Sequence, residues 1–171
     1  IETWVGQGEG LVLPVTEVEL GSSARLEHVR LIDEDDTTWH LGAIASTHDQ
    51  GSHFDSTVLS LGGRLVRTSV EAALNGPGAD ATVCGVGMGT ESRHIETSLR
   101  VNHNAPDCTS REVFKNLMAD TSTSAFTGRI FVALDAQKTD AVQSNRNLLL
   151  SPTARAWSRP QLEIYADDVK C

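Results

Sequence analysis

The chain has 171 residues, 39% of them apolar, which is enough to bury one sizeable core and favours a single domain over residues 1–171. Its 23 acidic and 14 basic residues give a formal charge of -9, which argues against a phosphate-backbone ligand, so no nucleic-acid partner is expected. No apolar run is long enough to span a bilayer, and the N-terminus lacks the basic and apolar regions of a signal peptide, so no membrane partner is expected and the predicted location is cytoplasmic.

In chain order, Ile1 to Val5 reads as a strand, and Gly6, Gly8 and Gly10 make a turn before Leu11-Val12-Leu13. Alternation begins at Val15, breaks at Gly21-Ser22-Ser23 and resumes from Leu26 to Ile32. The acidic run Asp33-Glu34-Asp35-Asp36 is expected to be a solvated loop, because adjacent like charges repel, and it lacks the glycine and ligand spacing of an EF-hand. Strands or strand pairs are predicted at 39–45, 57–61, 64–74, 81–88, 94–102 and 112–118, separated by turns such as Asp49-Gln50-Gly51 and Asn75-Gly76-Pro77-Gly78. A strand at 130–134 is followed by a corner dense in amides and hydroxyls, then by Leu148-Leu149-Leu150. In the last segment Leu162, Ile164 and Ala166 share one face and Glu163 and Tyr165 the other. No stretch carries a capped helical period, so the chain is all-β.

Small-residue corners ending in alanine recur before strands at 21–24, 78–81, 121–125 and 151–154. A solenoid stacks such equivalent corners, whereas a sandwich uses hairpins and long crossovers, so the repeat favours a solenoid.

Candidate reactive groups are few. Three cysteines at wide spacing do not form a disulfide framework and fit a reducing compartment. Cys84 lies in an apolar strand and is expected to be buried; Cys108, flanked by Asp107 and Thr109 at a corner, is expected to be the more reactive of the two. His48 with His53 and His103 with Cys108 match no zinc signature, and two ligands do not close a four-coordinate site, so no metal site is predicted. His28 and His94 are expected to be structural or surface residues. Lys138, Asp140, Gln143, Asn145 and Asn147 could suggest acid–base chemistry, but an amide-rich corner needs the same residues to satisfy turned-away backbone groups. No phosphate-binding loop spacing occurs. No catalytic residue is predicted.

The run A-Q-K-T-D-A-x-Q-x-N-R-N-L-L-L at Ala136 to Leu150, with P-Q-L-E-I-Y-A-D-D-V-K-C at Pro160 to Cys171, resembles the SufB/SufD family of the SUF iron–sulfur cluster assembly system, most closely its SufD branch. Val15-Thr16-Glu17, Ala24 to His28 and Ala105 to Arg111 agree with it, so the resemblance covers almost the whole chain. It implies a right-handed parallel β-helix core, with the helical segments that flank this core in the family absent here.

The resemblance further implies a non-catalytic scaffold subunit acting with a SufB-like subunit, and with a SufC-like ATPase through the missing C-terminal part. The core itself would carry no cofactor, and a transient iron–sulfur cluster would form in the complex. In the family a histidine two residues beyond the position of Cys171 is the cluster-assembly ligand, so Cys171 is a neighbour of that ligand. Strand addition at the C-terminal end implies Glu163, Tyr165 and Asp167 as partner-facing residues, Leu162 and Ile164 as core residues, and a homodimer when the partner is absent. The alternative function is a β-helix polysaccharide lyase or hydrolase, which would need clustered carboxylates and a base along one groove.

Overall fold

A computed structural model describes residues 1–171 and contains strands and turns but no helix. The strands are β1 (Glu2–Gly6), β2 (Gly10–Val12), β3 (Val15–Leu20), β4 (Arg25–Glu34), β5 (Thr38–His48), β6 (His53–Ser60), β7 (Leu65–Leu74), β8 (Asp80–Gly89), β9 (His94–His103), β10 (Thr109–Met118), β11 (Thr123–Val132), β12 (Thr139–Leu149), β13 (Arg155–Ile164) and β14 (Val169–Lys170). They form two parallel sheets. One, here the even sheet, has the order β1-β4-β6-β8-β10-β12-β14. The other, the odd sheet, has the order β13-β11-β9-β7-β5-β2, with β3 also paired to β5. From β3 onward consecutive strands alternate between sheets, and the chain coils through about six turns as the expected parallel β-helix.

Period-two alternation builds each wall. In β7 the inward residues Val66, Val70, Ala72 and Leu74 are buried while Arg67 and Glu71 point outward. In-register pairing then stacks like positions: Arg30 pairs with Val58, Val58 with Gly85, Gly85 with Phe114 and Phe114 with Asn145. Phe114 packs on Phe126 across the interior with ring centroids 5.0 Å apart, joining the two sheets in the main core cluster.

The corners that lead into the even sheet stack just as regularly. Ser23, Gly51, Gly78, Asp107 and Lys138 each adopt positive φ, one per turn. Their N–H groups donate to the carbonyls of Gln50, Pro77, Pro106, Gln137 and Asp168, so a hydrogen-bond ladder continues around the bend. Glycine adopts this conformation freely at two of these corners, and the ladder offsets its cost, about 1–2 kcal/mol, at the other three. After four of the five left-handed positions the next residue turns inward and is buried, as Ser52, Ala79, Cys108 and Thr139, while Ala24 after Ser23 is half-buried.

Arg93 staples the opposite corners. Its Nε donates to Gly63 O at 2.8 Å, its Nη1 to Leu61 O at 2.6 Å and Met88 O at 2.8 Å, and its Nη2 to Asp36 at 2.6 Å.

Several expectations need correction. Cys108 is fully buried, its thiol directed at Gly76 O and Pro106 O, because the inward corner slot admits only a small side chain. Cys84 faces outward from β8 and is half-buried, so the expected order of accessibility is reversed. The acidic run is not wholly solvated: Glu34 ends β4, is buried, and its carboxylate lies 3.1 Å from His40 Nδ1, whereas Asp35 and Asp36 occupy the turn. The amide-rich stretch is the middle of β12 rather than a corner, since the bend ends at Lys138.

Replacing Arg93 by alanine is expected to lower stability by about 1–3 kcal/mol, since two part-buried carbonyls, one exposed carbonyl and a carboxylate lose a charged donor. A urea midpoint shift at unchanged m-value would show it, and a loss below about 0.5 kcal/mol would contradict the stapling role.

Candidate functional site

The two ends of the solenoid differ. At the N-terminal end short strands cover the first long ones: β1 pairs with β4, and β2 and β3 pair with β5. Glu2 fastens this cover. Its carboxylate accepts from Thr16 Oγ1 at 2.5 Å and from Arg30 Nε at 2.8 Å, and lies 3.3 Å from His28 Nε2. Burial acts to raise the Glu2 pKa, but the Thr16 and Arg30 hydrogen bonds and the Arg30 and His28 charges outweigh it and bring it to about 2.

At the other end the last rung of residues 1–171 is formed by β12, β13 and β14. β13 pairs only with β11, and β12 is covered by β14 at Thr139 and Asp140 alone. Leu149, Leu150, Trp157, Leu162, Ile164 and Tyr165 are exposed there. Register settles the faces of β13. Leu162 and Ile164 lie above the buried Ile130 and Val132, so they point inward as expected, but they are 56% and 39% exposed because no further rung covers them. Their expected burial is thus overturned. Glu163 faces outward and pairs with Arg129, the Tyr165 ring rests on Phe131 at 5.8 Å, and Asp167 is exposed.

Cys171 follows β14, whose register places it above Ala141. It lines a mouth of about 200 Å³ with Ile130, Ala141, Val142, Gln143, Pro160 and Leu162. Burial pushes its thiol pKa up, and the Asp140 and Glu112 charges add to this, so the resting form is the thiol. Lys170 is in register with Asp140, on the other face of the strand.

Beneath the mouth lies a residue that sequence reasoning missed. Glu112 is fully buried on the inward face of β10, accepting from Ser110 Oγ at 2.9 Å and from Gln143 Nε2 at 2.8 Å. Ser110 Oγ is in turn 3.0 Å from His103 Nε2. Gln143 fits because Gly128 lies opposite, where a Cβ would collide with the amide. Burial raises the Glu112 pKa to about 7 despite the Gln143 and Ser110 hydrogen bonds. The alternation Ser110-Glu112-Phe114 was the available signal, since it puts a carboxyl between two core positions.

The other candidates do not converge. His48 points inward to Ser46 and Phe54, while His53 lies between Asp55 and Asp80. Cys108 bonds to carbonyls rather than to His103. His28 bonds Ser56 and His94 bonds Thr123, both as structural residues. Lys138 holds a left-handed corner, its Nζ 3.9 Å from Asp107. No group of three His, Cys, Asp or Glu side chains is placed to hold a metal ion.

Two measurements check this geometry. Thiol labelling of the folded chain should modify Cys171 first, Cys84 slowly and Cys108 last; prompt labelling of Cys108 would contradict its burial. The second is pH dependence. The raised Glu112 pKa contributes stability that is full below 4.5 and is lost as pH rises through 7. Burial lowers the pKa of both His48 and His103 to about 4, so their contribution is full above 6.5 and is lost as pH falls through 4. Glu112→Gln should therefore stabilise the fold at pH 8 by about 1–3 kcal/mol and leave it little changed at pH 4.5. No gain at pH 8 would contradict the strained carboxylate.

Comparison with known proteins supplies the family. The model of the SUF system FeS cluster assembly SufBD core domain matches residues 1–171. The chain is 33% identical to the iron–sulfur cluster assembly protein SufD of Escherichia coli, covering 90% of this chain and 36% of that protein. It is 32% identical to an iron–sulfur cluster assembly SufBD family protein of Mycobacterium tuberculosis (95% and 43%) and 31% identical to the chloroplastic protein ABCI7 of Arabidopsis thaliana (100% and 37%). The chain thus spans between about a third and a half of the length of these relatives. With the full-length match and the parallel β-helix in agreement, the chain belongs to the SufBD family of the SUF iron–sulfur cluster assembly system, as its core domain.

Proposed function

We propose that the chain is a non-catalytic scaffold in iron–sulfur cluster assembly, pairing through its open C-terminal rung with a SufB-like subunit and working with a SufC-like ATPase. The observation that carries this reading is the family match over residues 1–171. Within these residues β13 is paired on one side only, and its ten-residue edge lies beside exposed Leu162, Ile164 and Tyr165. Long uncovered edges recruit further strands, and main-chain hydrogen bonds then supply affinity while side chains choose the partner. Pro160 removes one donor from this edge, which limits indiscriminate pairing.

Glu163, Tyr165 and Asp167 take the partner-facing role, with Leu162 and Ile164 joining them because they are uncovered. Cys171 at the mouth offers one thiol to a nascent cluster, which is cargo of the assembly and needs further ligands from the partner. Such chemistry requires a reducing compartment, and we place it in the cytoplasm; no helix is long and apolar enough to cross a membrane. The polysaccharide lyase reading gains no support, since the match is to a cluster-assembly family and outward carboxylates such as Glu163 and Asp140 are paired with arginines.

Tyr165→Asp should weaken pairing with a SufB-like partner, or self-association in its absence, with little loss of stability. Ile164→Ala should weaken pairing too, while costing the isolated fold less than about 1.5 kcal/mol, below the 2–5 typical of a buried site. Sedimentation velocity and urea denaturation on both variants check this; association unchanged in both would contradict the proposed edge.

A further inference from the structure

The outer face of the even sheet is apolar along its middle. Leu31, Leu59 and Val86 lie in register, and the row continues in the next two rungs as Lys115 and Arg146. A neighbouring row, Met88, Leu117 and Leu148, is also apolar, with Met88 and Leu148 46% and 56% exposed. The outer face of the odd sheet differs, since it carries the ion pairs Arg67–Glu96, Glu71–Arg100 and Arg129–Glu163.

Lys115 and Arg146 make the row selective. They are directly paired neighbours on adjacent strands, both are exposed, and neither lies within ion-pair distance of a carboxylate. Like charges placed opposite one another in a sheet destabilise it unless an anion lies over them. A chain with a formal charge of -9 thus presents two stacked, uncompensated cations at the end of an apolar stripe.

We propose that this face docks an amphipathic helix of a protein partner, with apolar side chains on Leu31, Leu59 and Val86 and carboxylates at one end of the helix on Lys115 and Arg146. The dimensions agree. Rungs are spaced about 4.8 Å apart and helical turns 5.4 Å, so successive turns of a helix laid along the solenoid axis meet successive rungs. Five rungs span about 19 Å, the length of roughly 13 helical residues. The site is separate from the open C-terminal edge, because it lies on the sheet face and does not use the unpaired backbone of β13.

The test uses two synthetic helix-forming peptides of about 14 residues. Both carry a leucine stripe; one has two glutamates at one end and the other has lysines there. Fluorescence anisotropy should show the glutamate peptide binding and the lysine peptide not binding. The double variant Lys115→Glu with Arg146→Glu should weaken the glutamate peptide by at least about tenfold and favour the lysine one. Leu59→Lys, a half-buried outward position, should abolish binding with the circular dichroism spectrum unchanged. Equal affinity for the two peptides, or no binding of the glutamate peptide, would overturn the proposal. Two other occupants would also overturn it: a second copy, seen as self-association abolished by Leu59→Lys, or a lipid surface, seen as binding to phosphatidylserine vesicles lost in the charge-reversed variant.

Discussion

Register between rungs is the constraint on which the rest of this structure depends. A parallel stack requires each turn to repeat the inward and outward sequence of the turn below, because a one-residue slip exchanges core and surface along a whole strand. The corner ladder enforces that repeat. A left-handed residue at each bend into the even sheet, bonded to the bend of the next turn, fixes where the strand starts and so which residues point inward. The chain accepts left-handed geometry at Asp107 and Lys138, where a side chain makes it costly, and thereby keeps the ladder unbroken. Arg93 performs a comparable task at the opposite bends by joining three backbone carbonyls and Asp36.

Most of the fold was legible because period-two alternation and small-residue corners are local properties. The strands around 64–74, 81–88 and 94–102 were placed within a residue or two, and the recurring corners pointed to a stack before any pairing was known. The failures share a different cause. Whether Cys108 is exposed depends on which side of the bend faces inward, and its polar neighbours Asp107 and Thr109 gave the opposite impression. Glu34 and Glu112 have charged side chains whose burial depends on partners from other segments, His40 for one and Gln143 for the other. Gln143, Asn145 and Asn147 looked like a bend because amides favour bends; at an open end they can instead occupy a strand's inward face, as Gln143 bonding Glu112 and Asn147 accepting from Asn116 show. Leu162 and Ile164 had the right direction and the wrong burial, since alternation gives facing but says nothing about whether a rung lies above.

The same register logic links fold to function. At the N-terminal end β1, β2 and β3 pair with the first long strands, and Glu2 binds them to Arg30 and Thr16. At the C-terminal end the polar chain of His103, Ser110, Glu112 and Gln143 runs beside the apolar cluster of Ile130, Val132, Ala136 and Ala141 to the mouth, and Cys171 stands at its rim. Family membership states what system the chain serves, and the rung of β12 and β13 is where we propose that a partner chain extends it.

Hydrogen–deuterium exchange tests the central claim most directly. In β12 from Ala141 onward and in β13, the alternate amides that point away from β10 and β11 lack partners and should exchange quickly in the free chain, while β7 to β10 exchange slowly. Addition of a SufB-like subunit should protect β12 and β13 selectively. Protection confined to the N-terminal strands, or fast exchange at β12 and β13 unaffected by the partner, would contradict assembly through the open rung.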